Sequence, residues 1–241
     1  MRGGILRILV ILPILRHEVY EEITYKELSQ VASKETEIKV VSLEKGPASI
    51  ESAYDEALAI PGILDLTLKA EKEGYNAVII DCMGDPGLEA AREIVKIPVV
   101  GPCQASIALA SMLCAKFSVV TILKNVVPLF HELTKKYGVT DKVVSVRCID
   151  VPVLELEKNI EKVRSLLLSE SKQAVENDGA EAIVLGCTGM IGLAEEIRQK
   201  LGVPVVDPAP TALKMAEAMI KLGVSHSKIT YPKPPEKTRI I

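Results

Sequence analysis

The chain has 241 residues, of which 48% are hydrophobic and 25% charged, and its formal net charge is -3. This is enough for one large α/β domain or two small ones, each burying its own core. The slightly acidic balance offers no basic face to nucleic acid or to an anionic membrane, so neither is expected as a partner.

The first apolar run, 8–15, is too short to span a bilayer. Arg16, His17 and Glu18 follow at once, with no small-residue cleavage site. A buried strand over 5–14 in a cytoplasmic protein is expected. Further strands are expected at 37–43, 77–82, 98–101, 117–123, 143–149, 182–186 and 203–206. Most lack polar alternation, which marks strands covered on both faces. Segments 52–73, 86–95, 104–115, 126–137, 155–177, 190–200 and 211–222 repeat apolar residues at three and four, as amphipathic helices do. Pro61-Gly62 is a candidate break in the first of these, and Ser49 and Glu51 are candidates to cap it. The tail from 231 to 237, YPKPPEK, is expected to be irregular or extended.

Strand-length runs alternating with helices imply βα units, parallel sheets and right-handed crossovers. The chain also repeats itself. AVIIDCMGDPGL at 77–88 matches AIVLGCTGMIGL at 182–193, and IPVVGP at 97–102 matches VPVVDP at 203–208. Two copies are too few for a solenoid. The expected fold class is α/β, with two pseudo-symmetric βα halves, each a mostly parallel sheet flanked by helices, and an active site in the cleft between them. Residues 1–103 plus 208–241 would form the first half and 104–207 the second.

The five cysteines stand at 82, 103, 114, 148 and 187, with no C-x-x-C pair, no zinc-ligand spacing and no disulfide framework. No metal site is expected. His17, His131 and His226 lie far apart and read as surface or capping residues. Cys82 and Cys187 are different, because each ends a strand run and has glycine two positions on. Ligands of open α/β sheets bind beyond such strand ends. Asp85-Pro86 reads as an N-cap and first-turn proline, and Thr188-Gly189 as the start of another helix. A helix N-terminus would lower the thiol pKa and steady an enolate oxygen. Two thiols facing each other could take a proton from one side of a carbon and return one to the other. The bland reading is a pair of core thiols preserved by duplication. Cys103, Cys114 and Cys148 lack the glycine turn and read as structural.

These residues resemble the hydantoin racemase and allantoin racemase family, within the aspartate/glutamate racemase superfamily. The carrying motifs are GPASIESAYD at 46–55, AIPG at 59–62, CMGDPGL at 82–88, FSVVT at 117–121 and LGCTGM at 185–190. The resemblance implies cofactor-independent racemisation at C5 of a 5-substituted hydantoin, with Cys82 and Cys187 as the two bases, in a homo-oligomer. It implies substrate contacts from Met83, Gly84, Asp85, Thr121, Thr188, Gly189 and Ile14. Family members often carry Asn-Pro-Asn after the first strand, whereas this chain has Ile11-Leu-Pro13-Ile14. The alternatives are a racemase of a free amino acid such as aspartate or glutamate, and a small-molecule binding protein without chemistry. A decarboxylase would need one proton donor rather than two. A thiol hydrolase would need a histidine that neither cysteine motif supplies.

Overall fold

Leu6–Leu15 form β1, and its side chains alternate between two buried faces. Ile8 and Val10 join one core cluster, Leu9 and Ile11 another. Both faces therefore need a cover of helices, which explains the unbroken apolar run. The computed structural model describes residues 4–239; positions 1–3 and 240–241, expected to belong to the first half, lie outside the described residues.

β1 pairs in parallel with β2 (Thr36–Leu43) and β3 (Ala77–Ile80), and β3 pairs with β4 (Val99–Val100), giving the order β2-β1-β3-β4. The second sheet repeats this with β5 (Phe117–Thr121), β6 (Val143–Cys148), β7 (Ala182–Leu185) and β8 (Val205–Val206), in the order β6-β5-β7-β8. The repeat seen in the sequence is thus a repeat of whole topology.

Helices α1 (Glu18–Val31), α2 (Ala53–Lys72) and α3 (Leu88–Ile94) serve the first sheet. α2 and α3 bury Ala59, Ile63, Leu88 and Ala91 against Leu9, Ile11, Val78 and Ile80. Each fully buried isoleucine here contributes about 1.5–3 kcal/mol relative to exposure. α5 (Val127–Lys136), α6 (Ile160–Glu176) and α7 (Ala194–Leu201) surround the second sheet. The last helix of each half lies at the junction. α4 (Pro102–Leu113) packs on β7, while α8 (Pro208–Leu222) packs on β1 and β3 through Ala209, Ala212, Leu213 and Ala216. α4 and α8 also pack on each other.

Several sequence expectations need correction. α2 runs through Pro61 unbroken, so Pro61-Gly62 is not a break. Gly62 serves close packing instead: a Cβ there would meet Leu43 Cδ1 and Cδ2 at 3.4 and 3.1 Å. Segments 155–177 and 190–200 each begin with a short 3-10 turn, Val153–Glu155 and Thr188–Met190, before the α-helix proper. The expected helices also omit α1, which buries only Thr24 and Leu28 and so has a thin apolar stripe. Among the described residues no helix is long and apolar enough to cross a membrane.

Candidate active site

Cys82 stands two residues beyond β3 and Cys187 two beyond β7, at pseudo-equivalent sheet ends. The register brings these ends together with those of β1 and β5: Ile11 pairs with Ile80, and Val120 with Leu185. Past Leu185 the backbone of Gly186 runs so close to Thr121 that a Cβ would fall 2.6 Å from Thr121 Cβ and 2.8 Å from its Cα. Thr121 Oγ1 donates to the Gly186 carbonyl at 3.1 Å, which fixes the approach to Cys187. On the other half, the Gly84 N–H points at Cys82 Sγ, 3.5 Å away. Thr188 Oγ1 donates to the Asp81 carbonyl at 3.1 Å and so ties one cysteine turn to the other.

Two neighbouring cavities meet at this junction, and Cys82, Cys187, Thr188 and Ile50 line both. The larger, about 160 Å³, also touches Ile14, Gly189, Tyr20 and Asp81. The smaller, about 50 Å³, touches Met83, Gly84, Thr121, Gly186 and Glu56. The structure therefore brings Cys82, Cys187, Met83, Gly84, Thr121, Thr188, Gly189 and Ile14 around one cleft.

Asp85 lines neither cavity. It does not cap the helix that follows it, as expected from sequence, because α3 starts at Leu88 with Gly87 as its N-cap. Asp85 adopts a left-handed backbone, φ 49°, which aspartate tolerates better than most residues. Its carboxylate then accepts the N–H groups of Cys103 and Gln104, at 3.0 and 2.9 Å, and the Tyr137 hydroxyl at 2.5 Å. It caps α4, whose Cys103 and Gln104 N–H groups have no intrahelical partner. Ser52, not Ser49 or Glu51, caps α2. Glu51 instead crosses the cleft: its Oε1 accepts the Val153 N–H at 2.6 Å, and its carbonyl accepts Asn125 Nδ2 at 2.6 Å.

The electrostatics also differ from expectation. Burial pushes the Cys82 thiol well above its usual value and the Cys187 thiol up to about 12. The lowered thiol pKa expected from helix starts is absent because burial outweighs it: no α-helix begins at either sulfur, and Cys187 caps only the short 3-10 turn Thr188–Met190. α3 starts six residues past Cys82 and α7 seven past Cys187. Only the turn N–H groups at Gly84, Gly189 and Met190 work in favour of the thiolates.

Two carboxyl groups near the thiols were not singled out from sequence. Glu56 Oε1 and Asp81 Oδ1 are buried and have no hydrogen-bond partner among the described residues. Burial, then Asp85, raises Glu56 to about 7. Burial, then Asp207, raises Asp81 to about 7. Glu56 lies over Gly84, where a Cβ would stand 1.9 Å from its Oε1, so a larger residue there would displace the Glu56 carboxyl. An acid ending the run AVII was a legible signal for Asp81, whereas Glu56 sits one residue past the quoted motif GPASIESAYD. Among the described residues no three His, Cys, Asp or Glu side chains converge as a metal-binding group.

Residues 17–216 match the Asp/Glu/Hydantoin racemase family model. The chain is 45% identical over 210 residues to a hydantoin racemase of Pseudomonas sp. (strain NS671), covering 87% of this chain and 84% of that one. It is 39% identical over 234 residues to a hydantoin racemase of Paenarthrobacter aurescens, covering 96% and 99%. Its fold matches the crystal structure of allantoin racemase from Pseudomonas fluorescens with a TM-score of 0.93 at 36% identity, covering 98% and 100% of the two chains. With its duplicated sheets and paired strand-end cysteines, the chain belongs to the Asp/Glu/hydantoin racemase family, and with it to the isomerases.

Proposed function

We propose that this protein racemises 5-substituted hydantoins at C5 without a cofactor, with Cys82 and Cys187 as bases on opposite faces of the ring. The observation that carries this is the placement of both thiols, from pseudo-equivalent strand ends, on the walls of the same two cavities. In one direction the Cys82 thiolate takes the C5 proton, and the electron pair moves onto the adjacent carbonyl as an enolate. The Cys187 thiol then gives its proton to the other face of C5. The configuration inverts, and the two sulfurs exchange protonation states. The reverse direction uses the opposite starting state. Backbone N–H groups of the Cys-x-Gly turns steady the thiolates and the enolate oxygen in this reading.

A free aspartate or glutamate substrate fits less well. No Lys, Arg or His side chain lines either cavity, while Glu56, Asp81 and Glu157 do. An amino-acid carboxylate would meet like charge there; a neutral ring would not.

Cys82→Ser and Cys187→Ser test the reading. Each is expected to lower racemisation by about 10²–10⁴-fold, as loss of a general acid–base does. Each should retain solvent deuterium exchange into one enantiomer only, followed by NMR at C5. Parental racemisation rates in both variants would sink the mechanism.

A further inference from the structure

Asp81 directly precedes Cys82 in the chain. In β3, Ala77 and Ile79 face the side of the first sheet that holds Leu28 of α1, while Val78 and Ile80 face α2 and α3. Asp81 continues the row of Ala77 and Ile79 just past the strand. Thr24 stands one turn before Leu28 on α1, on the same face and closer to the strand ends. Both residues line the larger cavity together with Cys82 and Cys187. Asp81 is 5% exposed and Thr24 6%.

Neither side chain is satisfied by the protein. Asp81 Oδ1 is buried without a partner, and the charged group that faces the carboxyl, Asp207, is a second carboxyl that repels it. Thr67 turns its hydroxyl back to the Ile63 carbonyl of its own helix at 2.8 Å, but Thr24 makes no such bond among the described residues. A buried carboxyl without donors destabilises the fold, and such groups persist where a ligand completes them. A racemase has a use for them. The enantiomers of a 5-substituted hydantoin differ only in which face of C5 carries the hydrogen, and the planar ring is common to both. An anchor that serves both directions therefore has to hold the edge of the ring.

Resting on the racemase reading above, we propose that Asp81 and Thr24 bind the ureide edge of the hydantoin ring: the Asp81 carboxylate accepts the N1–H, and the Thr24 hydroxyl donates to the neighbouring C2 carbonyl. The two partners match that edge in kind, an acceptor for its donor and a donor for its acceptor. Asp81 adjoins Cys82 in the chain as N1 adjoins C5 in the ring. The C4 carbonyl, where the enolate oxygen forms, is then turned toward the smaller cavity and its Gly84 turn. The bond to N1–H exists before and after C5 loses its proton, so it acts on binding more than on the chemical step.

The test uses the full chain with one enantiomer of 5-benzylhydantoin and of its N1-methyl and N3-methyl derivatives, followed by circular dichroism with the spontaneous racemisation of each compound subtracted. In the parent, N1-methylation is expected to lower kcat/KM by about 10–100-fold, the worth of a hydrogen bond to a charged group, and N3-methylation by much less. Asp81→Leu should lose about as much on the unmethylated compound and no longer distinguish it from the N1-methyl one, with the loss mainly in KM. Asp81→Asn keeps an acceptor without the charge and should fall between the two, with a melting temperature no lower than the parent's. Thr24→Val should lose about three- to tenfold, as for a neutral hydrogen bond, and still prefer N1–H. If Asp81→Leu does not fold, Asp81→Asn decides. A parent indifferent to N1-methylation or equally sensitive at N3, or an Asp81→Asn variant that melts lower or keeps the full parental preference for N1–H, overturns the inference and leaves the racemase reading standing. No turnover of any hydantoin by the parent overturns both.

Discussion

Asp85 Oδ1 accepts the Cys103 N–H at 3.0 Å, so the turn that carries Cys82 is fastened to the helix leading into the second half. Oδ2 of the same carboxylate takes the Gln104 N–H and the Tyr137 hydroxyl. Asp85→Ala leaves three donors without their acceptor, the Cys103 N–H buried and the other two part-buried. It is expected to cost about 2–4 kcal/mol, from the lost cap together with the unsatisfied groups. The melting temperature should fall by about 5–15 °C, and racemisation should fall with it as Cys82 loses its position. A thermal melt unchanged by Asp85→Ala would show that the cap is dispensable.

Gly186→Ala probes the approach of β7 to β5. The added methyl would lie 2.6 Å from Thr121 Cβ and 2.8 Å from its Cα, far inside contact distance. Overpacking of this kind costs about 1–3 kcal/mol. Combining it with Thr121→Ser should give no rescue, because the Cα and Cβ remain. Urea denaturation of both variants checks this, and full recovery in the double variant would contradict the geometry.

The pH profile follows from the thiols. Burial raises both, so the form with one thiolate grows as pH rises above neutral, and kcat/KM should climb on the alkaline side. After burial, the Glu56 carboxylate is among the causes that hold Cys82 up. Glu56→Gln removes that charge, so the alkaline limb should move to lower pH and the rate at pH 8 should increase. A limb that stays in place or moves to higher pH would show that Glu56 does not act on Cys82 through its charge.

The tail beyond α8 has its own pH dependence. His226 Nε2 accepts the Val99 N–H at 2.9 Å, which requires a neutral ring. Burial, then the charge of Arg92, lowers His226 to about 4 from its usual 6.5. The unfolded chain thus binds a proton between pH 6.5 and 4 that the folded chain does not. Stability is full above pH 6.5 and declines as pH falls through that window. His226→Gln, which cannot titrate, should flatten this part of the stability curve measured by urea denaturation between pH 7 and pH 4. An equally steep curve in the variant would assign the acid sensitivity elsewhere.

Much of this architecture is legible in the sequence because it is local. The runs AVII and AIVL are buried on both faces and can be little else than central strands. The duplicated Cys-x-Gly turns fall beyond them, where sheet ends hold ligands. What escapes is what depends on distant partners. Asp85 looks like a cap for the next helix but caps α4, a role set by 17 or more intervening residues of folded chain. Glu51 looks like a cap for α2 but bonds Val153 on the other half. α1 gives a weak signal because it covers only the margin of the first sheet. The thiol pKa is not readable from helix propensity, since it turns on how deeply the finished cleft excludes water.

The exchange of final helices has a consequence for biosynthesis. β1 leaves the ribosome first, yet the face bearing Ile8 and Val10 is closed by α8, made some two hundred residues later. Until translation is almost finished, that face has only Leu28 of α1 and Ala105 of α4 from its cluster beside it and leaves much greasy surface exposed. A nascent chain truncated before Pro208 should bind chaperones and resist release, whereas supplying α8 as a separate peptide should quench that stickiness.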